Sequence, residues 1–438
     1  MHAVPRLTPR PRLIYALILA AGLMGCEHQL MPTPNIYASG RYDLVGADYP
    51  VELRSSTVEL LYVTDRKRVD TGTANGSVKY GWKRSPSLAI GICEVEIGKG
   101  LDWKTLAEST TRRERRIALP ERVRSITEIA RLQPTPTAVV EQDGMLVPDP
   151  DTITRRDATA ESVAELFRER LAQSRRSEVL IYIHGFKMTF EEAAIVLAGL
   201  HHFSRDLVPI LYTWPAGAPG VLSGYARDRE SGEFTVLHLK RFIRRLAALP
   251  ELEKIHIVAH SRGTDVAVTA LRELLIEERG AGRLAEVTFK IANLVLVAPD
   301  LDVDVVSQRF IGERMHNVAD YLTIYVSRDD RAIGVAEWFA QSTRRLGRVQ
   351  PQDISEPLRR RMEIIDDVAL IDVRVKSDKH GHSYFYRNPA VSSDLLLMVR
   401  HGALVGSPQR PLTQIFPGYW VLDDPAYPGF DSEQVGVE

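Results

Sequence analysis

The sequence has 438 residues, with 56 Lys and Arg against 57 Asp and Glu, a formal net charge of −1, 44% hydrophobic and 26% charged residues. Those proportions describe a folded chain and exclude a wholly disordered one, a collagen-like repeat and a multi-span membrane protein. The balanced charge gives no electrostatic case for a nucleic-acid partner, and two cysteines, Cys26 and Cys93, support neither a disulfide framework nor a cysteine-rich zinc site.

In chain order, Arg6, Arg10 and Arg12 precede the apolar run Leu13–Ala21, which is short for a bilayer span, and small residues follow. The segment ends in Leu23-Met24-Gly25-Cys26, which resembles the lipobox of bacterial lipoproteins. That resemblance implies a signal peptide over 1–25, lipidation of Cys26, and a location in the bacterial cell envelope, lipid-anchored and facing the periplasm or exterior. An uncleaved signal anchor or an ordinary secretory peptide is the alternative. Residues 26–56, with Pro32, Pro34, Gly40 and Pro50 and little periodicity, are expected to be a tether.

Residues 57–155 form an N-terminal β-rich extension, with short β-type runs at Val58–Val63, Ser87–Ile97 and Arg116–Leu119. Cys93 falls within the second run and is expected to be a buried structural thiol. Four prolines within 133–155 mark a long surface excursion.

From 156 to 405 short apolar strands alternate with amphipathic helices, beginning with a helix over Ala158–Gln173. Strands are expected at Val179–Ile183, Pro209–Thr213, Ile255–Ala259, Ala292–Ala298, Leu322–Val326 and Ala369–Val373. Helices are expected at Phe190–Phe203, Thr235–Ala248, Thr264–Glu278, Val335–Leu346 and Val391–Val399. That alternation predicts an α/β fold, a mostly parallel sheet with helices on both faces. Residues 216–232 read either as a mobile cap or as a plain surface loop, and 406–438 as a C-terminal tail.

The segment Ile255-His256-Ile257-Val258-Ala259-His260-Ser261-Arg262-Gly263 is a strand entering a nucleophile elbow, with Ala259 in place of the first glycine. Small residues two before and two after Ser261 are needed because the strand-to-helix turn is tight. Ser261 is therefore the expected nucleophile. A second strand ends in His184-Gly185-Phe186, where Gly185 permits close approach to an acyl oxygen. The backbone N–H groups of Phe186 and Arg262 are the expected oxyanion donors, and His184 is expected to brace the loop. A base and an acid must then lie C-terminal to Ser261. His380 and His382 follow the last strand expected above, while His316 and His401 are expected to be structural or exposed. Asp329 and Asp330 follow one strand, and Asp300, Asp302 and Asp304 follow the strand before it. A calcium loop over the latter three is weak, because its sixth position is Val305.

From about Thr57 to Val399 the chain resembles a bacterial alpha/beta-hydrolase family of unassigned physiological role in the esterase/lipase superfamily. The matching pieces include Tyr62-Val63-Thr64-Asp65-Arg66, His184-Gly185-Phe186, Thr213-Trp214-Pro215, Tyr225, Asp228, Ala259–Gly263, Tyr325–Ala332 and Gly381-His382-Ser383-Tyr384. The resemblance implies Ser261 as nucleophile, Asp330 as acid and His382 as base, while the placement of Asp329, Asp300 and Asp302 after strands leaves them as alternative acids. Arg262 stands where family members commonly carry Met, a departure that bears on the polarity of the acyl pocket. The expected activity is serine hydrolysis of a small-molecule or lipid ester, without metal or organic cofactor. An amidase or peptidase with the same triad, or an envelope lipoprotein using the fold for binding, is the alternative.

Overall fold

The computed structural model describes residues 28–46, 49–69, 76–220, 222–334, 344–375 and 381–423. The expected signal segment, Cys26, His380 and most of the helix expected at Val335–Leu346 lie outside these residues.

The central strands are β2 (Thr57–Val69), β7 (Glu178–Ile183), β8 (Val208–Thr213), β9 (Lys254–His260), β10 (Ile291–Val297), β11 (Tyr321–Val326) and β12 (Val368–Arg374). They pair in parallel in the order β2-β8-β7-β9-β10-β11-β12. Every residue of β7, β8 and β10 is buried. Such continuous apolar runs are needed because helices cover both faces of the sheet.

Side chains alternate between the two faces with period two. Ile181, Ile183, Ile257 and Ala259 pack on one side with helices α2 (Pro150–Gln173), α4 (Leu222–Ala247) and α5 (Gly263–Gly280). Leu180, Tyr182 and Val258 pack on the other with α3 (Phe190–Ser204) and α6 (Pro389–Val399). Helix α3 starts with a capping box, Thr189 and Glu192 each satisfying the other's backbone N–H.

Several boundaries differ from expectation. The β-rich extension is continuous with the hydrolase sheet: β2, β3 (Lys79–Ile97) and β4 (Pro120–Arg131) are antiparallel neighbours, and β1 (His28–Gln29) pairs with β4. The strand expected at Arg116–Leu119 begins instead at Pro120. Cys93 is buried in β3, and burial pushes its thiol well above its usual range.

Residues 28–46 are not a loose tether. Leu30, Met31, Ile36, Tyr37 and Leu44 are buried, and the Arg400 guanidinium ties Tyr37 Oη at 2.8 Å and the Leu44 carbonyl at 3.1 Å to the body. Nor is 406–423 a tail. Strands β13 (Thr413–Phe416) and β14 (Tyr419–Asp423) extend the sheet beyond β12, and buried Arg410 grips Asp394 through two 2.8 Å bonds.

The proline-rich excursion holds a small hairpin, β5 (Val139–Gln142) and β6 (Met145–Pro148), turned by Asp143 and Gly144 at φ +52° and +74°. Helix α2 then starts at Pro150 behind an Asp149 cap, earlier than the expected Ala158. Helix α4 likewise begins at Leu222, so most of the expected cap region is helix. Gly224, which read as a loop signal, instead lets the helix touch its preceding loop: a Cβ there would lie 2.6 Å from the Ala218 carbonyl oxygen.

Candidate active site

The elbow forms where β9 ends. Ser261 adopts φ +52°, a left-handed conformation that a non-glycine residue holds only when its surroundings enforce it. Its N–H donates to the Val297 carbonyl at 2.9 Å, and its carbonyl accepts from Thr264 N and Oγ1 at 3.0 and 2.6 Å. Gly263 is required by contact, since a Cβ there would sit 2.3 Å from the His184 carbonyl oxygen. Gly185 is pressed against the nucleophile position in the same way: its Cβ would lie 2.8 Å from Ser261 Cβ.

The loop carrying Gly185 and Phe186 is set by a buried polar network. Arg66 is 1% exposed and donates to Thr213 Oγ1, Ala216 O and Met188 O at 2.8 Å, to Gly81 O at 3.3 Å and to His184 Nε2 at 3.1 Å. An arginine only donates, so His184 Nε2 is the acceptor and its proton sits on Nδ1. Nδ1–H then donates to the Gly185 carbonyl at 2.9 Å. In a trans peptide the carbonyl and the following N–H point opposite ways. Drawing the Gly185 oxygen toward the imidazole therefore turns the Phe186 N–H away from it. Burial, followed by the Arg66 charge, lowers His184 to about 3, so this imidazole stays neutral and braces the loop. Trp214 stacks on it at 5.3 Å and donates Nε1–H to its carbonyl at 2.8 Å.

Asp228 supplies the remaining tie. Its carboxylate, fully buried on α4, accepts from Lys187 N and Gly217 N at 3.0 Å and Ala218 N at 3.2 Å. Arg66 and Asp228 were read from the sequence only as matching pieces, without roles. Nothing local to either position marks it as a charge that will be buried.

On the opposite flank, His382 Nδ1–H donates to Asp330 Oδ2 at 2.7 Å. Asp330 is fully buried, and its other oxygen accepts from Ile333 N at 3.0 Å. The His382 carbonyl accepts from His260 Nε2 at 3.2 Å, and the two imidazoles lie 4.7 Å apart. Tyr384, two residues on, donates its hydroxyl to the Tyr325 carbonyl at 2.9 Å and accepts from Ala298 N at 3.0 Å. These bonds pin the histidine loop to the ends of β10 and β11.

The alternative acids sit elsewhere. Asp329 is exposed beside Arg328, and Asp302 caps the short helix after β10. Asp300 accepts from Tyr225 Oη at 2.9 Å and lies 3.5 Å from Arg345. Burial, reinforced by Asp300, pushes Tyr225 up to about 12. His316 bonds Asp367 at 2.8 Å, and His401 packs on Tyr42.

Ser261, Gly185, Phe186, His382 and Tyr225 open onto one cavity of about 550 Å³. The Arg262 side chain is not part of its wall; its guanidinium turns onto Asp265 at 2.8 Å. Its other terminal nitrogen lies 3.9 Å from Asp300, which does line the cavity, so the charge sits just behind the wall.

Residues 159–400 match the family described as an alpha/beta hydrolase of unknown function (DUF900). The chain belongs to this family. No curated protein matches the sequence. The candidate residues lie at the carboxyl ends of the parallel strands, where open α/β sheets place their sites, with Ser261 after β9 and Asp330 and His382 after β11 and β12.

Proposed function

We propose that the protein is a serine hydrolase that cleaves carboxylic esters. The observation that carries this reading is the 2.7 Å bond between His382 Nδ1 and buried Asp330, with His382 and the strained Ser261 opening onto the same cavity. Because Nδ1 holds the proton shared with Asp330, Nε2 is left as a lone-pair base. Ser261 Oγ attacks the ester carbonyl as Nε2 takes its proton, and the N–H groups of Phe186 and Arg262 receive the oxyanion. The C–O bond to the alcohol then breaks, and imidazolium returns the proton to the leaving oxygen. Water, deprotonated by His382, attacks the acyl-enzyme and releases the acid and Ser261.

We further propose that acyl chains on Cys26 hold the protein in the bacterial envelope, which the lipobox-like segment supports. Incorporation of labelled palmitate, lost in Cys26→Ala, tests that placement.

The deciding experiment is hydrolysis of p-nitrophenyl esters by the wild type and Ser261→Ala, with fluorophosphonate labelling of both. Turnover falling by about 10⁶-fold and labelling lost in the variant are the expected results. A wild type that neither labels nor hydrolyses any ester would overturn the reading.

A further inference from the structure

The cavity does not end at Ser261 and His382. It continues along helix α3, where Glu192, Ile195, Val196 and Gly199 line one wall. These positions are spaced as one helix face and span about 10 Å at 1.5 Å per residue. The middle of this wall is apolar, with Met188 and Met31 adding to it.

Its far end is not apolar. Glu121, on β4 opposite His28 of β1, also lines the cavity and is only 6% exposed. Its Oε1 has no hydrogen-bond partner among the described residues. A Cβ placed on Gly199 would come within 3.5 Å of that oxygen, so the carboxyl lies against the last turn of the wall. Half-buried Arg115 does not complete it: its two terminal nitrogens donate to the Leu30 and Met31 carbonyls and to Thr33, and its Nε–H makes no hydrogen bond to Glu121 or to any other described residue. Arg387, exposed at the cavity wall, is engaged over the Tyr386 ring. Burial, against the attraction of Arg115 and Arg387, pushes the carboxyl up to about 8. A buried polar atom left without a partner calls for an explanation. Oε1 is packed against Gly199, while the Glu121 side chain as a whole borders the space that a substrate would fill.

We propose that Glu121 is a specificity-determining residue that accepts a hydrogen bond from a hydroxyl or amino group at the distal end of the substrate arm lying along α3. The assignment rests on the ester-hydrolase reading given above. The preferred substrates are then esters with a hydrocarbon middle and a donor-bearing tip, not plain fatty esters. The apolar stretch from Met188 to Val196 receives the hydrocarbon, and Glu121 selects the tip.

The test uses the full chain and p-nitrophenyl esters of matched acyl length ending in methyl, methoxy, hydroxyl or amino groups. A second series of acetate esters carries the same tips on the alcohol. In at least one series, kcat/KM for the hydroxyl or amino tip should exceed that for methyl and methoxy by at least about tenfold, the worth of one well-placed hydrogen bond. The methoxy control separates donation from mere polarity. Glu121→Met should abolish the preference while Ser261 still takes fluorophosphonate. Glu121→Gln, which keeps an acceptor but cannot ionise, should retain the hydroxyl preference and, above about pH 8 where the wild-type carboxyl is charged, lose any larger gain shown by the amine.

Equal rates for all tips in both series, or a preference that survives Glu121→Met, would overturn the role of Glu121 and leave the ester-hydrolase reading standing. Absence of both ester turnover and Ser261 labelling in the wild type would overturn the two together. The wild-type series is sufficient by itself to reject the assignment, so a variant that fails to fold does not shield it.

Discussion

The two flanks of the proposed catalytic cleft are held in place by different means. On the oxyanion side, Arg66, His184, Trp214 and Asp228 make a fully buried lattice around a short loop. On the acid–base side, Asp330 and His382 are joined by one short bond and tied down by Tyr384 and His260. A backbone N–H has no rotamer of its own, so aiming it means fixing the whole peptide, and that takes a rigid frame. A histidine and a carboxylate orient each other, so their loops need fewer outside contacts. The difference teaches where fragility should lie. The frame should fail in stability and activity together, the pair in chemistry alone.

The largest expected effect tests the pair. Asp330→Asn should lower kcat by about 10⁴-fold, because it disturbs the tautomer that leaves Nε2 unprotonated. Steady-state kinetics beside denaturant unfolding check this. A loss of stability as large as that of the Arg66 variant would break the contrast.

Arg66→Met comes next and should do both kinds of damage. Turnover should drop by about 10²–10³-fold as the Phe186 donor loses its aim. Each carbonyl left unpaired at Met188 and Ala216 should cost about 1–3 kcal/mol of unfolding free energy. Arg66→Lys should rescue little, since a single ammonium cannot reproduce a planar fork that reaches several acceptors. Normal turnover in Arg66→Met would sink the idea of a rigid frame. Asp228→Asn should cost less, about tenfold in kcat, because an amide keeps one acceptor for the three N–H groups that the carboxylate holds.

The smallest effect concerns neither flank but the far end of the cavity. Glu121 titrates at about 8 in the fold against 4.5 for an ordinary glutamate. Between those values the folded chain binds the extra proton, so this group's contribution to stability falls as pH rises from about 4.5 through about 8. Glu121→Gln should remove that decline. Thermal unfolding across this pH range, with identical slopes in both proteins, would refute it.

Much of this was legible in the sequence, for reasons particular residues make clear. The six strands from Val179 onward were readable because a strand buried on both faces is a continuous apolar run. Ser261 was readable because the elbow restricts residue size on both sides. Other features gave misleading signals. Gly224 and Gly232 mimic a loop inside α4 because close approach and flexibility use the same residue. Residues 28–46 hide their burial because Leu30, Met31, Ile36, Tyr37 and Leu44 follow no single period. Strands β13 and β14, with five residues or fewer, are too short to show a pattern. Arg66 and Glu121 look like surface charges in sequence, since nothing local distinguishes a charge that will be buried.

The placement of β1 has one last consequence. His28 and Gln29 are fixed to β4 at Pro120 and Glu121, and both residues line the substrate cavity. Cys26 precedes His28 by two positions, a reach of at most about 7 Å for an extended chain. Under the lipid-anchor proposal, the enzyme would not roam on a leash. The Glu121 end of its cavity would be moored close to the bilayer surface, drawing its esters from the headgroup layer more readily than from the surrounding fluid.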